Sequence, residues 1–453
     1  MTESNDASKA TRRQFLQRGG SVAAGAALLG SSAPAVHAAE DNTIRLALIG
    51  CGHRGRGAVA NALRTKDQGP IKLYATGDLD PKKSDLAVKV ISKEFPDQVD
   101  VPKDRQFIGF DSHKKAVDLL RPGDIAMCTT RSYIRPVHVE YAVKKGINVF
   151  MEKDFAPDPM GLHRMLRAAK AADKTGSKIL CGLQCRHSPA RAALIDRINS
   201  GALGDLSYVR ANRLTGRRWM GKMDRPLEKL VDQYNFCKCH LFWADGGYMV
   251  GMLIHQIDEC CWIMDDWPVS CHGMGGRETG CDDRGQNVHT YSMEYTFPNG
   301  KKAFCGFRSV LDGHNEFATF VHCAKKAAQF SGNIHKATVH EFKDHHIAQD
   351  NVAWSPSPDT KNPWDLEWID FIKSIRADKP LNEGKRAVMA NYATLMGRAA
   401  VHYNNIVTWD QVVNSKFQFC DYLDDLSYDS LSPVQPDENG YFPAPVAGKW
   451  KEL

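Results

Sequence analysis

A short apolar run of strand type, Ile44-Arg45-Leu46-Ala47-Leu48-Ile49, leads directly into Gly50-Cys51-Gly52-His53-Arg54-Gly55, and Gly57 to Leu63 continues as a helix. A second strand, Lys72 to Thr76, ends in Gly77-Asp78, 23 residues beyond the last glycine of the motif. Strand, G-x-G-x-x-G turn, helix, strand and acid in that order describe a dinucleotide-binding Rossmann unit, whereas the glycine motif alone would be weak. Gly50 allows the tight turn, Gly52 lets the backbone approach a pyrophosphate, and Gly55 permits close helix-strand packing, while the helix start turns free N–H groups to the phosphates. His53 and Arg54 sit in that first turn and belong to the same cofactor contacts. Asp78 would accept from the adenosine ribose hydroxyls, which favours NAD over NADP because a 2′-phosphate would meet a carboxylate.

Alternation continues through the next hundred residues. Ile125 to Thr130 reads as a strand, Arg135 to Lys145 as a helix, Ile147 to Lys153 as a strand, Pro159 to Lys174 as a helix and Lys178 to Arg186 as a further strand. Ligands in a parallel sheet lie beyond the carboxyl ends of the strands, so Thr129, Thr130, Glu152, Lys153, Gln184 and Arg186 are expected at the mouth of the crevice. Lys153 follows the buried run Val149-Phe150-Met151, where an ammonium can donate to a substrate hydroxyl and favour its alkoxide. A surface lysine paired with Glu152 or Asp154 is the competing reading.

After Ser188 the pattern changes. A helix from Ala190 to Asn199 and a strand from Leu206 to Arg213 precede strands that read as antiparallel. Among them, Val288 to Phe297 and Lys302 to Arg308 flank Asn299-Gly300 as a hairpin, and Phe317 to Cys323 and Thr338 to Phe342 follow. Two helices, Pro363 to Arg376 and Glu383 to Asn404, come next. The fold class is therefore α/β, a Rossmann domain at 39–186 followed by an α+β domain at 187–410 with an open, largely antiparallel sheet, and a tail at 411–453 that packs on it. Within the second domain, the helical spacing of Met249, Met252, Leu253, Ile257, Cys260 and Cys261 marks a buried helix that carries His255 and Asp258.

The formal charge of +6 includes a surplus of two positive charges in residues 1–38, and no long basic run remains beyond them. Nucleic acid and membrane surfaces are not indicated. Thr11-Arg12-Arg13-Gln14-Phe15-Leu16, a weakly apolar Gly/Ala-rich stretch and Val36-His37-Ala38 read as a twin-arginine signal peptide over 1–38, with cleavage after Ala38, export to the periplasm and no stable membrane anchor. The thirteen cysteines are odd in number, and neither Cys237-x-Cys239 nor Cys260-Cys261 has metal-ligand spacing. No metal is expected, and the thiols are read as mostly free and buried.

Five segments together resemble the Gfo/Idh/MocA oxidoreductases, the glucose-fructose oxidoreductase and inositol dehydrogenase group: Ile49 to Gly55, Gly146 to Lys153, His255-Gln256-Ile257-Asp258, Asn362-Pro363-Trp364 with Ile369 to Ile372, and Gly397 to Ala400 with Thr408-Trp409-Asp410. The resemblance spans Ile44 to about Trp409, and the leader with Gly273 to Arg277 is similar to exported members. It implies NAD- or NADP-dependent action on a sugar, cyclitol or glycoside, a homo-oligomer built on the open sheet, Lys153 as the family lysine and His255 as the group that handles the hydroxyl proton. Arg186, Trp219 and Asp258 are the candidate substrate contacts.

The chain departs from the family pattern twice. Glu152-Lys153-Asp154 stands where the family has Glu-Lys-Pro, which places a carboxylate beside the lysine. Gly251 stands one helical turn before His255, where many members carry an acid that orients the imidazole, leaving Asp258 or Asp245 as substitutes. Lys153 and His255 favour an oxidoreductase, including one that oxidises a hydroxyl transiently without net NADH. Asp154 and Gly251 favour a nucleotide-binding, catalytically weakened carbohydrate-binding paralogue.

Overall fold

The structure, a computed structural model, describes residues 42–453. The twin-arginine segment and its cleavage site lie outside these residues. Six strands form a parallel sheet in the order β3-β2-β1-β4-β5-β6. They are β1 (Ile44–Ile49), β2 (Ile71–Asp78), β3 (Gln106–Ile108), β4 (Ile125–Cys128), β5 (Asn148–Met151) and β6 (Ile179–Cys181). Residues Leu46, Ala47 and Leu48 of the central strand are fully buried, because helices cover both faces of the sheet there. The strand order reverses between β1 and β4, so the crevice opens where Gly50 and Thr129 leave the sheet.

The last strands are shorter than their apolar runs suggest. Expected strand over Lys178 to Arg186 survives only as β6, and Gln184–His187 coil into a 3₁₀ turn. The register explains this: Met151 pairs with Cys181, and β5 offers no partner beyond it. Glu152 and Lys153 therefore leave the sheet as loop, and the Lys153–Asp154 peptide bond is cis.

A second sheet has nine strands in the order β14-β13-β12-β11-β7-β10-β9-β8-β15. They are β7 (Leu206–Thr215), β8 (Ser270–Gly276), β9 (Thr290–Thr296), β10 (Lys302–Ser309), β11 (Glu316–Cys323), β12 (Ala327–Ser331), β13 (His340–Phe342), β14 (Val352–Trp354) and β15 (Val407–Thr408). Most neighbours are antiparallel, and Gly300 turns the β9–β10 hairpin at φ +80°. One pair departs from the antiparallel majority: β7 and β10 run parallel, from Tyr208 beside Lys302 to Thr215 beside Ser309. A parallel pair needs a long crossover, supplied here by the segment that holds helices Leu230–Phe236, Phe242–Asp245 and Tyr248–Met264.

The Tyr248–Met264 helix is apolar almost all round and lies in the core with β7, β10 and the Gly384–Tyr403 helix. Its Glu259 is fully buried against Arg191, a charge contact of 3.6 Å, and accepts from Thr319 Oγ1 at 2.6 Å. The Pro363–Arg376 helix returns to the first sheet, where Trp368, Phe371 and Ile372 pack with Leu46 and Phe150. None of the thirteen cysteines is paired, and all but Cys239 and Cys281 are buried. Among the described residues no helix is long and apolar enough to cross a membrane.

A partly buried charge cluster joins the 3₁₀ turn at Gln184–His187 to the Pro363–Arg376 helix. His187 Nδ1 lies 2.8 Å from Asp370, and Nε2 makes a 3.3 Å charge contact with Glu383. Burial alone would lower its pKa, but Asp370 and Glu383 outweigh burial and lift it to about 10. A raised folded-state pKa gives stability that is present below the unfolded value near 6.5 and lost as pH rises towards 10. Thermal melts should therefore show wild type losing more stability between pH 7 and 10 than His187→Gln does; equal alkaline slopes would remove the assigned charge.

Candidate active site

The glycine turn is set by close contacts as well as by dihedral angle. Gly50 has φ +94°, and a Cβ there would lie 2.7 Å from Thr130 N, while one on Gly55 would lie 2.3 Å from the Gly50 carbonyl oxygen. Thr129 Oγ1 donates to that same oxygen at 2.7 Å. A Cβ on Gly52 would meet nothing within 4 Å, so the floor of the turn is open. The His53–Leu63 helix begins there with no side-chain cap and no acid in its first turn. Free N–H groups over an open glycine are what a pyrophosphate needs, and these residues fit a dinucleotide.

The turn forms one end of a cleft of about 690 Å³. Every residue expected at the cofactor lines it: Gly50, Gly52, His53, Arg54, Gly55, Asp78, Thr129, Thr130, Glu152 and Lys153. Asp78 is oriented by two backbone donors, Cys51 N–H at 2.7 Å to Oδ2 and Asp80 N–H at 3.0 Å to Oδ1. Burial raises its pKa, against the pull of those donors. Each oxygen keeps a lone pair for a ribose hydroxyl.

Lys153 is paired with neither neighbouring acid. Its Nζ donates to the Gly251 carbonyl, and Glu152 instead accepts from Arg54 Nε. Asp154 makes no ion pair with the lysine and is buried, its backbone carbonyl accepting from Arg135. Its Oδ1 lies 3.5 Å from the point a Cβ on Gly251 would occupy, so the carboxylate from the strand end fills the space that the glycine leaves on the helix. Burial, then the nearby Asp245, raises the Asp154 pKa.

His255 is 5% exposed and lines a second cavity of about 190 Å³ with Lys153, Gln184, Arg213, Phe317 and Trp364. Lys153, Gly251 and Met252 line both this cavity and the large cleft, so the two adjoin. Burial, and then the positive charges of Lys153, Arg213, Arg191 and Arg54, hold the imidazole pKa well below its usual value. It is neutral at pH 7 and free to accept a proton. Its Nδ1 is buried with no hydrogen-bond partner.

Neither proposed substitute for the acid orients that imidazole. Asp258 is consumed by Arg186, at 2.9 and 3.0 Å, with Arg386 at 3.3 Å. Asp245 pairs with Arg131 and accepts from Ser132 N–H at 3.2 Å. Arg186 and Asp258, expected as substrate contacts, form an internal ion pair with each other and line neither cavity. Trp219 also lines neither; it stacks on His289 with ring centroids 5.7 Å apart, under the Arg217 guanidinium. In their place the structure brings Gln184, Arg213, Met252 and Trp364 to His255. Arg213 carried no local signal, because its place depends on the register of β7 against β11, where it faces Phe317.

No family model matches the chain. Solved structures do. Aldose-aldose oxidoreductase from Caulobacter crescentus complexed with glycerol is 16% identical, with a TM-score of 0.63 over 81% of this chain and 99% of that one. Scyllo-inositol dehydrogenase from Lactobacillus casei with bound NAD(H) and scyllo-inositol is 17% identical, with a TM-score of 0.60 over 81% and 99%. Myo-inositol 2-dehydrogenase from Lactobacillus plantarum is 17% identical, with a TM-score of 0.59 over the same shares. A parallel six-stranded Rossmann sheet, an open mixed sheet and this likeness establish that the chain has the fold of the Gfo/Idh/MocA oxidoreductases.

Proposed function

We propose that the protein is an NAD-dependent oxidoreductase acting on a hydroxyl of a sugar, cyclitol or glycoside. The observation that carries this reading is the convergence of Lys153 and His255 on one small cavity that shares a wall with the large cleft. A bound nicotinamide would supply the acceptor for the hydride that leaves the carbinol carbon. The neutral His255 takes the hydroxyl proton as the carbon-oxygen double bond forms, and Lys153 donates to the oxygen while charge builds on it. Gln184, fully buried with both amide atoms unpartnered, presents a donor and an acceptor to further hydroxyls. The same chemistry in reverse returns hydride and proton, so transient oxidation without net NADH is part of the proposal.

Identification of the nucleotide released on denaturation tests the reading, together with cofactor absorbance of the intact protein against a glycoside panel. Protein that holds NAD yet exchanges hydride with no sugar would favour the carbohydrate-binding alternative. Asp78→Ala should weaken NAD binding about 10- to 100-fold, the worth of one or two hydrogen bonds to a carboxylate, and narrow its margin over NADP. Calorimetric titration with both nucleotides measures this; an unchanged NAD affinity would remove Asp78 from the site. The twin-arginine pattern at Thr11 to Leu16 supports export to the periplasm after the cofactor is loaded in the cytoplasm. Met274 and Phe304, large apolar side chains exposed on β8 and β10, support assembly through the open sheet.

A further inference from the structure

We propose that the substrate carries an oxyanion, a carboxylate or a sulfate ester on a single polyhydroxylated ring, and that Arg213 binds it. The inference rests on the oxidoreductase reading for the chemistry of the cavity, but its own support is the pattern of charge around His255.

Arginines in this region are matched to acids. Arg54 holds Glu152, Arg186 and Arg386 share Asp258, and Arg191 faces Glu259. Arg213 differs: its side chain has no hydrogen-bond or ion-pair partner among the described residues, and its Nε is buried. The guanidinium lies 3.9 Å from the centroid of the Phe317 ring, its cross-strand neighbour, which restrains it before any ligand arrives. Glu152, the acid on the cavity wall, is already engaged by Arg54. Lys153 and Arg213 therefore place two positive charges, neither held in an ion pair, on a partly enclosed site of about 190 Å³, below the size of a drug-like pocket. Charge without an ion-pair partner in such a site selects a ligand of opposite sign, and a planar guanidinium matches a planar carboxylate or the face of a sulfate with paired hydrogen bonds. The unpartnered amide of Gln184 serves the ring hydroxyls. A bound anion would also offset part of the positive field on His255 and raise its basicity when substrate is present.

The test uses the protein with its bound nucleotide and three probes, methyl glucoside, methyl glucuronide and glucose 6-sulfate. Nucleotide absorbance reports turnover and calorimetry reports binding. The glucuronide or the sulfate should be preferred over the glucoside by about 100-fold in kcat/KM, and whichever is preferred identifies the oxyanion. Arg213→Met should abolish that preference, and Arg213→Lys, which keeps the charge, should retain part of it. A glucoside that performs as well as both anions, or a preference that survives in Arg213→Met, would overturn the proposal. If none of the three reduces the nucleotide, the oxidoreductase reading fails for these sugars. Binding then still decides: anion-selective binding lost in Arg213→Met upholds the charge assignment, and equal binding of the neutral glycoside overturns it.

Discussion

His255→Ala should lower hydride transfer by about 10² to 10⁴, the usual worth of a positioned acid or base, while bound nucleotide stays in place. The two parts separate because His255 lines the small cavity and not the large cleft. Its pKa is held down chiefly by burial and then by four cations, so the wild-type rate should not fall at pH 6 through protonation of this imidazole. Rapid mixing with a substrate that reduces the nucleotide, followed by denaturation and quantification of the nucleotide, reads both. A variant that exchanges hydride at the wild-type rate would remove His255 from the chemistry. A variant that has lost its nucleotide would show instead that the residue supports the cofactor.

The second large effect lies far from the chemistry. Glu452 is fully buried, 3.2 Å from Arg398 Nε and 3.2 Å from His402 Nδ1, and accepts from Trp450 Nε1 at 3.0 Å. Burial opposes its ionisation, but Arg398 and His402 prevail and hold its pKa at about 2. Glu452→Ala should destabilise the protein by about 3–5 kcal/mol, because it strands a buried guanidinium. Arg398 also donates to the carbonyls of Gly246 at 2.9 Å and Pro157 at 3.1 Å, just before the His255 helix and just after the Lys153 loop. Denaturant melts of Glu452→Ala and of Arg398→Met/Glu452→Met measure the effect; the double variant should lose less, since neither charge is left alone. A loss below about 1 kcal/mol in the single variant would show that the pair is not the anchor described.

The parts of the site legible in the amino-acid order are those made by neighbours in the chain. The glycine turn, Asp78 at the end of its strand, and the lysine after Val149-Phe150-Met151 all lie at strand ends, and strand ends are written as apolar runs followed by turn residues. Asn362-Pro363 likewise marks a helix start, and the Asn362 side chain accepts from Asp365 N–H at 2.9 Å. Pairing over long distances leaves no such signal in the chain. Arg186, Asp258 and Trp219 had the right chemistry for sugar contacts, but Asp258 meets two arginines from segments 72 and 128 residues away, and no local pattern reports that competition.

What the sequence determined by itself is the Rossmann half, since its strands and glycine turn depend on periodicity and turn chemistry within a few residues, while Lys153 and His255 are singled out by the resemblance of their segments to a known family. Only the tertiary structure decided what surrounds the imidazole. The parallel register of β7 with β10, and the antiparallel one with β11, carry Arg213 to the cavity. The loop after β5 places the Asp154 carboxylate over Gly251. Both follow from burial and strand pairing between distant segments, where charge and space are matched in three dimensions rather than along the chain.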